Sequence, residues 1–252
     1  MAMVLTYRQI SVDTGRLTNG SILFDAAPYV SGCVRVTDIP EKQLIRWLML
    51  SEPARGLIFE ELGFPSSAFY ALEVGEPFYS PGIGDLDLVL CNHCAPHEAA
   101  VLECKRVKIV VVDPEQHQMN KLEDTRIGVI QANRLHDKFG FSRTYLAVLT
   151  EVEASQQHDT NIPCRGIDST ATPDYGQTKS FKRIVEFPGR DDLKTDIGIV
   201  FIEVVQPSRI SINERVTIRV CVHHPAQQRT QSDSVTNRIE MVMRGQRLAN
   251  TC

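Results

Sequence analysis

The residues best suited to do chemistry in this chain lie in two short stretches, GDLDLVL at 84–90 and VLECKRV at 101–107. On a β-strand, successive side chains point to opposite faces. In the first stretch Leu86, Leu88 and Leu90 then share a face directed at a core, and Asp85 and Asp87 share the other. In the second, Glu103 and Lys105 lie together, opposite Leu102 and Cys104. If the two stretches are neighbouring strands, Asp87, Glu103 and Lys105 fall on one patch. Two carboxylates fixed on strands offer a hard-oxygen site suited to Mg²⁺ or Mn²⁺. Such an ion polarises a phosphodiester oxygen and lowers the pKa of a bound water. A lysine beside it orients that water and stabilises charge in a phosphorane-like transition state. Without a cation, carboxylates this close repel one another and one pKa rises. Glu-x-Lys alone is a weak signal, because the same spacing makes an ordinary ion pair on a solvated strand face.

The surrounding elements give the pair its weight. Residues 41–62 carry a helical pattern in two pieces, with Ser51 near an N-cap, Pro53 at the second start and Gly63 as the stop. Strand signals follow at 68–78, 85–91 and 99–112, then a helix over 120–139 closed by Gly140, then a strand over 143–152. Further strands are expected at 197–205 and 216–223, and a final helix at 235–248. Short β-like runs, SILFDA and GCVRVTDI, occupy the opening forty residues, and the polar stretch 154–180 reads as a long loop or insertion. Strands and helices mixed in this way predict an α/β (α+β) fold, a central mixed β-sheet flanked by helices. Additional strands are expected at both ends.

The segment GDLDLVL…AAVLECKRVK resembles the PD-(D/E)xK, or restriction-endonuclease-like, nuclease superfamily. In that pattern a glycine-led strand bearing Asp is followed by apolar-apolar-Glu-x-Lys. The family core runs α-β-β-β-α-β, the order read above for residues 41–152. The resemblance implies one nuclease-like domain over 1–252, with 153–252 a C-terminal extension of uncertain role. It implies Mg²⁺- or Mn²⁺-dependent hydrolysis of phosphodiester bonds, in DNA rather than RNA, leaving a 5′-phosphate. Asp87 and Glu103 would hold the metal and Lys105 would be the catalytic lysine. The literal Pro-Asp pair is absent, Pro81 standing six positions before Asp87, so Asp85 and Asp87 both stay candidates for the principal ligand. Dimerisation is common in the family. The alternative is a non-catalytic nucleic-acid-binding or assembly protein on the same fold.

Many members of that superfamily add a glutamate from the first helix. Helical spacing groups Ala54, Leu57, Ile58, Glu61 and Leu62 on one inward stripe, making Glu61 the candidate, with an edge residue that reaches solvent as the bland reading. Gln131 in the following helix is a candidate supporting residue, against an ordinary surface glutamine. Arg126, Arg134 and Lys138 on that helix are candidate phosphate contacts, against ordinary solvated charges. The crowded Cys91, His93, Cys94 and His97 have zinc-type ligands, but four ligands within seven residues seldom close a tetrahedron. A turn between the two site strands is the expected alternative.

Composition sets the remaining limits. Net charge is −4, unusual for a nucleic-acid binder, but it is unevenly distributed. Residues 1–104 hold 6 Lys/Arg against 13 Asp/Glu, and residues 105–252 hold 21 against 18. A local basic track is therefore permitted. Seven scattered cysteines suggest reduced thiols, and the absence of a basic leader and of any long apolar run suggests a cytoplasmic protein without a membrane span.

Overall fold

The structure is a computed structural model that describes residues 7–13, 40–81, 84–113, 116–154, 170–171, 183–207 and 215–249. The runs SILFDA and GCVRVTDI, and nearly all of the 154–180 stretch, lie outside these residues.

Two helices come first among the elements around the site, α1 (Glu41–Leu50) and α2 (Glu52–Glu61). Ser51 separates them and a proline opens the second, whose fixed φ suits the first helical turn. Gly63 follows α2 at φ +76°, a left-handed turn that a residue with a Cβ adopts at a cost. Then come β2 (Phe69–Val74), β3 (Leu86–Asn92) and β4 (Ala95–Asp113), an antiparallel meander. A short strand, β5 (Gln116–Asn120), folds back on the end of β4. Helix α3 (Asp124–Phe139) ends at left-handed Gly140 and leads to β6 (Arg143–Ala154), which pairs parallel to β4. The start of α3 differs from the sequence expectation. Met119 and Asn120 are in β5, and Lys121 turns at φ +66° before the helix begins.

The later elements extend the same sheet. Strand β8 (Gly198–Pro207) lies parallel to β6, and β9 (Arg215–His224) pairs antiparallel to β8. Strand β1 (Tyr7–Asp13) pairs with β9, and the two-residue β7 (Thr170–Ala171) pairs with β1. Helix α4 (Asp233–Ala249) closes the described chain. Among the described residues nine strands form one mixed sheet in the order β2-β3-β4-β6-β8-β9-β1-β7, with β5 attached to β4. The expected mixed sheet flanked by helices is what the chain forms.

Side-chain alternation divides the sheet into two buried faces. On one, Leu88, Leu90, Leu102, Cys104, Tyr145, Ala147 and Leu149 pack against Leu44, Leu48, Leu57 and Ile58 of α1 and α2. On the other, Val107, Ile109, Leu146 and Val148 meet Val129 and Ala132 of α3. Next to them Val89, Cys91, Ala99 and Val101 meet Leu135 and Phe139 of α3 and Val235 and Ile239 of α4. Each fully buried leucine, isoleucine, valine or phenylalanine among them contributes roughly 1.5–3 kcal/mol. The strands that carry the site therefore lie between two packed apolar layers. No helix among the described residues is long and apolar enough to cross a membrane.

Candidate active site

The site forms where one edge of β4 loses its neighbours. The β3–β4 ladder runs only as far as Leu88↔Leu102, and the β4–β5 ladder begins at Lys108↔Asn120. Between them this edge of β4 has no strand beside it, and its backbone N–H groups need other acceptors. Carboxylates supply them. Asp87 Oδ2 accepts the Cys104 N–H at 2.8 Å, and Glu41 Oε2, from the first turn of α1, accepts the Arg106 N–H at 2.6 Å. Two acidic side chains from separate elements are thus fixed along one stretch of strand.

Glu103 and Lys105 alternate with those residues and point to the α3 side of the sheet. Lys105 Nζ donates to Glu103 Oε1 at 2.6 Å and to the Cys104 carbonyl at 2.9 Å. Glu103 is 3% exposed. The lysine stem lies under Gly128 of α3, where a Cβ would sit 2.4 Å from Lys105 Cγ. A glycine is required here for close approach, not for backbone freedom. One turn further along α3, Gln131 buries its Oε1 with no hydrogen-bond partner among the described residues.

Charge dominates the electrostatics. Burial and then the Asp87 charge push the Glu103 carboxyl from 4.5 up to about 8, against the opposing pull of Lys105. Burial also raises Asp87, although the Cys104 N–H and Lys105 oppose it. Glu41 is raised by burial as well, with Lys105 and the Arg106 N–H opposing and Asp87 adding to the rise. Lys105 is subject to the reverse balance. Burial disfavours its charge, but Glu103, Asp87 and Glu41 outweigh burial and raise its pKa. Lys105 therefore faces three largely buried carboxyl groups, with Lys42 and Lys121 adding weaker positive influence on Asp87 and Glu41. Glu73 on β2 adds negative charge: it lies between the Leu72↔Leu88 and Val74↔Leu86 pairs, has φ +49°, and raises the Asp87 pKa. Lys42 reaches Glu73 at 3.9 Å.

Such a donor set fits a hard divalent cation, which prefers carboxylate oxygens. Among the described residues no group of three His, Cys, Asp or Glu side chains is already gathered as a metal cage. Here Asp87 Oδ2 and Glu103 Oε1 hold protein donors, leaving Asp87 Oδ1 and Glu103 Oε2 as the oxygens a cation would meet first.

Of the sequence candidates, Asp87, Glu103 and Lys105 come together. Asp85 does not join them: it precedes β3, is exposed, and its carboxylate lies beside Gly75. Of the two aspartates, Asp87 is the one near Glu103 and Lys105. Glu61 does not join them either, and the expectation of a helix glutamate at that position is corrected. Its Oε1 is held by Arg8 at 3.0 Å. Arg8 belongs to β1, four strands from β4, about 19 Å at the usual strand spacing. Glu41 is the helix glutamate beside the site. Arg126, Arg134 and Lys138 are exposed on α3. The cysteine- and histidine-rich stretch is the β3–β4 turn, with Cys91 buried against Met243 Sδ at 3.7 Å and Cys94 exposed.

Comparison with known proteins finds no family model, no curated protein and no solved structure that matches this chain.

Proposed function

We propose that this chain is a Mg²⁺- or Mn²⁺-dependent nuclease of the PD-(D/E)xK type that hydrolyses phosphodiester bonds of DNA. The observation that carries the reading is the convergence of Asp87, Glu103 and Lys105 at the gap in the β4 edge, with Glu41 closing one side. The order of elements supports it too. With the short β5 set aside, α2, the antiparallel β2, β3 and β4, α3, and β6 parallel to β4 follow the α-β-β-β-α-β order that the sequence resemblance leads one to expect.

When bound, the divalent ion supplies Lewis acidity toward a phosphodiester oxygen and makes water a better nucleophile. Asp87 and Glu103 would present the oxygens that hold it, and Glu41 would add negative charge from the helix side. Lys105 keeps its proton, because the carboxylates around it raise its pKa, and neutralises charge developing on the scissile phosphate. Gln131 has a buried amide oxygen free to orient a water. The non-reacting scaffold of β4, β6 and α3 holds these groups without reorganisation during the reaction.

The test is incubation of the purified protein with supercoiled plasmid and end-labelled oligonucleotides, with Mg²⁺, with Mn²⁺ and with excess chelator. Cleavage in metal and none in chelator is expected. Nucleic-acid binding by a folded protein that cleaves no substrate in either metal points to the non-catalytic alternative.

A second test concerns Gly128. Gly128→Ala gains about 1 kcal/mol of helix propensity, which offsets much of the ~1–3 kcal/mol that overpacking costs. Folding should therefore survive. The new methyl displaces the Lys105 stem and pulls its ammonium off Glu103, so single-turnover cleavage should fall at least tenfold while the far-ultraviolet circular dichroism spectrum is unchanged. Parent-like cleavage by Gly128→Ala contradicts a positioned lysine.

A further inference from the structure

The side of α3 turned away from the sheet carries an apolar pair. Val129, Ala132 and Leu135 face inward to the core. Ile127 and Ile130 face outward, 55% and 45% exposed. Five large apolar side chains are exposed among the described residues, and only these two share an element. Exposed charges bracket them on the same stripe: Glu123 lies one turn before Ile127, and Arg134 one turn after Ile130. Glu123 belongs to the stripe because its backbone is already helical, at φ −66° and ψ −23°.

This stripe is its own complement. Glu123, Ile127, Ile130 and Arg134 are separated by four, three and four residues, the spacing of the seam between paired helices. Consider a two-fold axis crossing α3 midway between residues 128 and 129. It lays Ile127 of one copy on Ile130 of the other and Glu123 on Arg134, each pair occurring twice. A parallel pairing would instead set Glu123 on Glu123 and Arg134 on Arg134. The flank of the helix agrees with the antiparallel choice. The loop 189–192 lies along one side of α3, with Gly189 against Arg126 and the Asp192 carbonyl bonded to Asn133 at 2.8 Å. The same axis brings the exposed Arg126 of one copy level with residue 131 of the other, on the flank where Asp191 and Asp192 are exposed.

We infer that α3 pairs antiparallel with α3 of a second copy of this chain, through Ile127 and Ile130, with Glu123 against Arg134 of the partner subunit. Burial of the isoleucines supplies affinity, and the charges set direction and register. Four side chains are too few for a stable dimer by themselves, and the 189–192 flank with Arg126 widens the contact. An exposed arginine exchanges one ionic partner for another at little cost. Arg134 can therefore turn to Glu123 of the partner subunit whatever it touches within its own chain. The pairing uses none of the groups at the β4 edge, so it stands or falls separately from the nuclease reading.

The experiment is sedimentation equilibrium of the full chain over a concentration series. The parent should be dimeric at about 0.1 mM. Ile130→Glu places a charge in the apolar seam twice per dimer and should weaken association about 100-fold. The site is exposed in the single chain, so the far-ultraviolet circular dichroism spectrum should not change. Glu123→Arg and Arg134→Glu each set like charges against one another and should each weaken the dimer about tenfold or more. The chain carrying both exchanges restores opposite charges and should return to within about threefold of the parent. A parent that stays monomeric at this concentration overturns the pairing, and so does a dimer that Ile130→Glu leaves intact. A double exchange that associates no more tightly than either single one overturns the antiparallel register.

Discussion

Glu103→Gln is expected to stabilise the metal-free protein at pH 8 and to abolish its response to Mn²⁺. The folded Glu103 carboxyl sits at about 8 against an ordinary 4.5. Between those values the folded state keeps a proton that the unfolded state has released, so stability falls as pH rises across the window. The favourable contribution is complete below 4.5 and is lost as pH climbs through about 8. Each pKa unit corresponds to about 1.4 kcal/mol, so the parent should lose on the order of 5 kcal/mol across the window. For a chain of this size that is roughly 10–20 °C in Tm. Glutamine has the shape of the protonated acid and no titration, so the variant's Tm should fall less than the parent's across this range, the remaining fall belonging to Asp87 and Glu41, which burial also raises. Lys105 keeps Asp87 and Glu41 as partners. Thermal unfolding from pH 5 to 9 in chelator and in Mn²⁺ measures both effects. A variant no more stable than the parent at pH 8, or one that Mn²⁺ stabilises equally, contradicts the role of Glu103.

Lys105→Ala and Asp87→Asn should both lose turnover, for different reasons. Lys105 supplies charge and orientation at the reacting phosphate, effects worth about 10²–10⁴ in rate. Its removal leaves Asp87, Glu103 and Glu41 in place, so Mn²⁺ binding persists while single-turnover cleavage falls by that factor. Asp87→Asn removes one of the charges facing the cation. Its amide oxygen can still accept the Cys104 N–H, so the fold holds while metal binding and turnover are lost together. A structural Lys105 would give the opposite pattern: a less stable protein with near-normal activity in the folded fraction. Calorimetric Mn²⁺ titration and single-turnover cleavage on both variants separate the cases.

The parts of the site that were legible in the sequence depend on local periodicity. Strand alternation is enough to put Glu103 and Lys105 opposite Leu102 and Cys104. It also makes α1, α2, β3 and β6 readable from apolar spacing, Pro53, Gly63 and Gly140. Glu61 shows where that reasoning stops. A helical stripe tells which side faces the sheet, but not which strand lies beneath it. Arg8 reaches α2 only because β1 pairs with β9 at the other end of the sheet, across more than two hundred residues of sequence. Glu41 was hidden because an acid in a first helical turn ordinarily complements the helix dipole. Its acceptor role exists only because the β3 and β5 ladders leave a gap on β4. Strand β5, QHQMN, has no apolar alternation of its own, and its pairing with the overhang of β4 makes it a strand. Gly128 could have been noticed as a glycine inside a strongly helical segment, but the lysine beneath it is a tertiary contact.

Whether a divalent cation binds among these carboxylates is tested most directly by counting protons. At pH 7, below its pKa of about 8, Glu103 is mostly protonated. A cation taking up its oxygens must expel that proton. Mn²⁺ titrated calorimetrically at pH 7 in buffers of different ionisation enthalpy gives the number released. Saturable binding of at least one Mn²⁺ with release of close to one proton, absent in Glu103→Gln, is the predicted result. No saturable binding, or binding with no proton release from the parent, would contradict it.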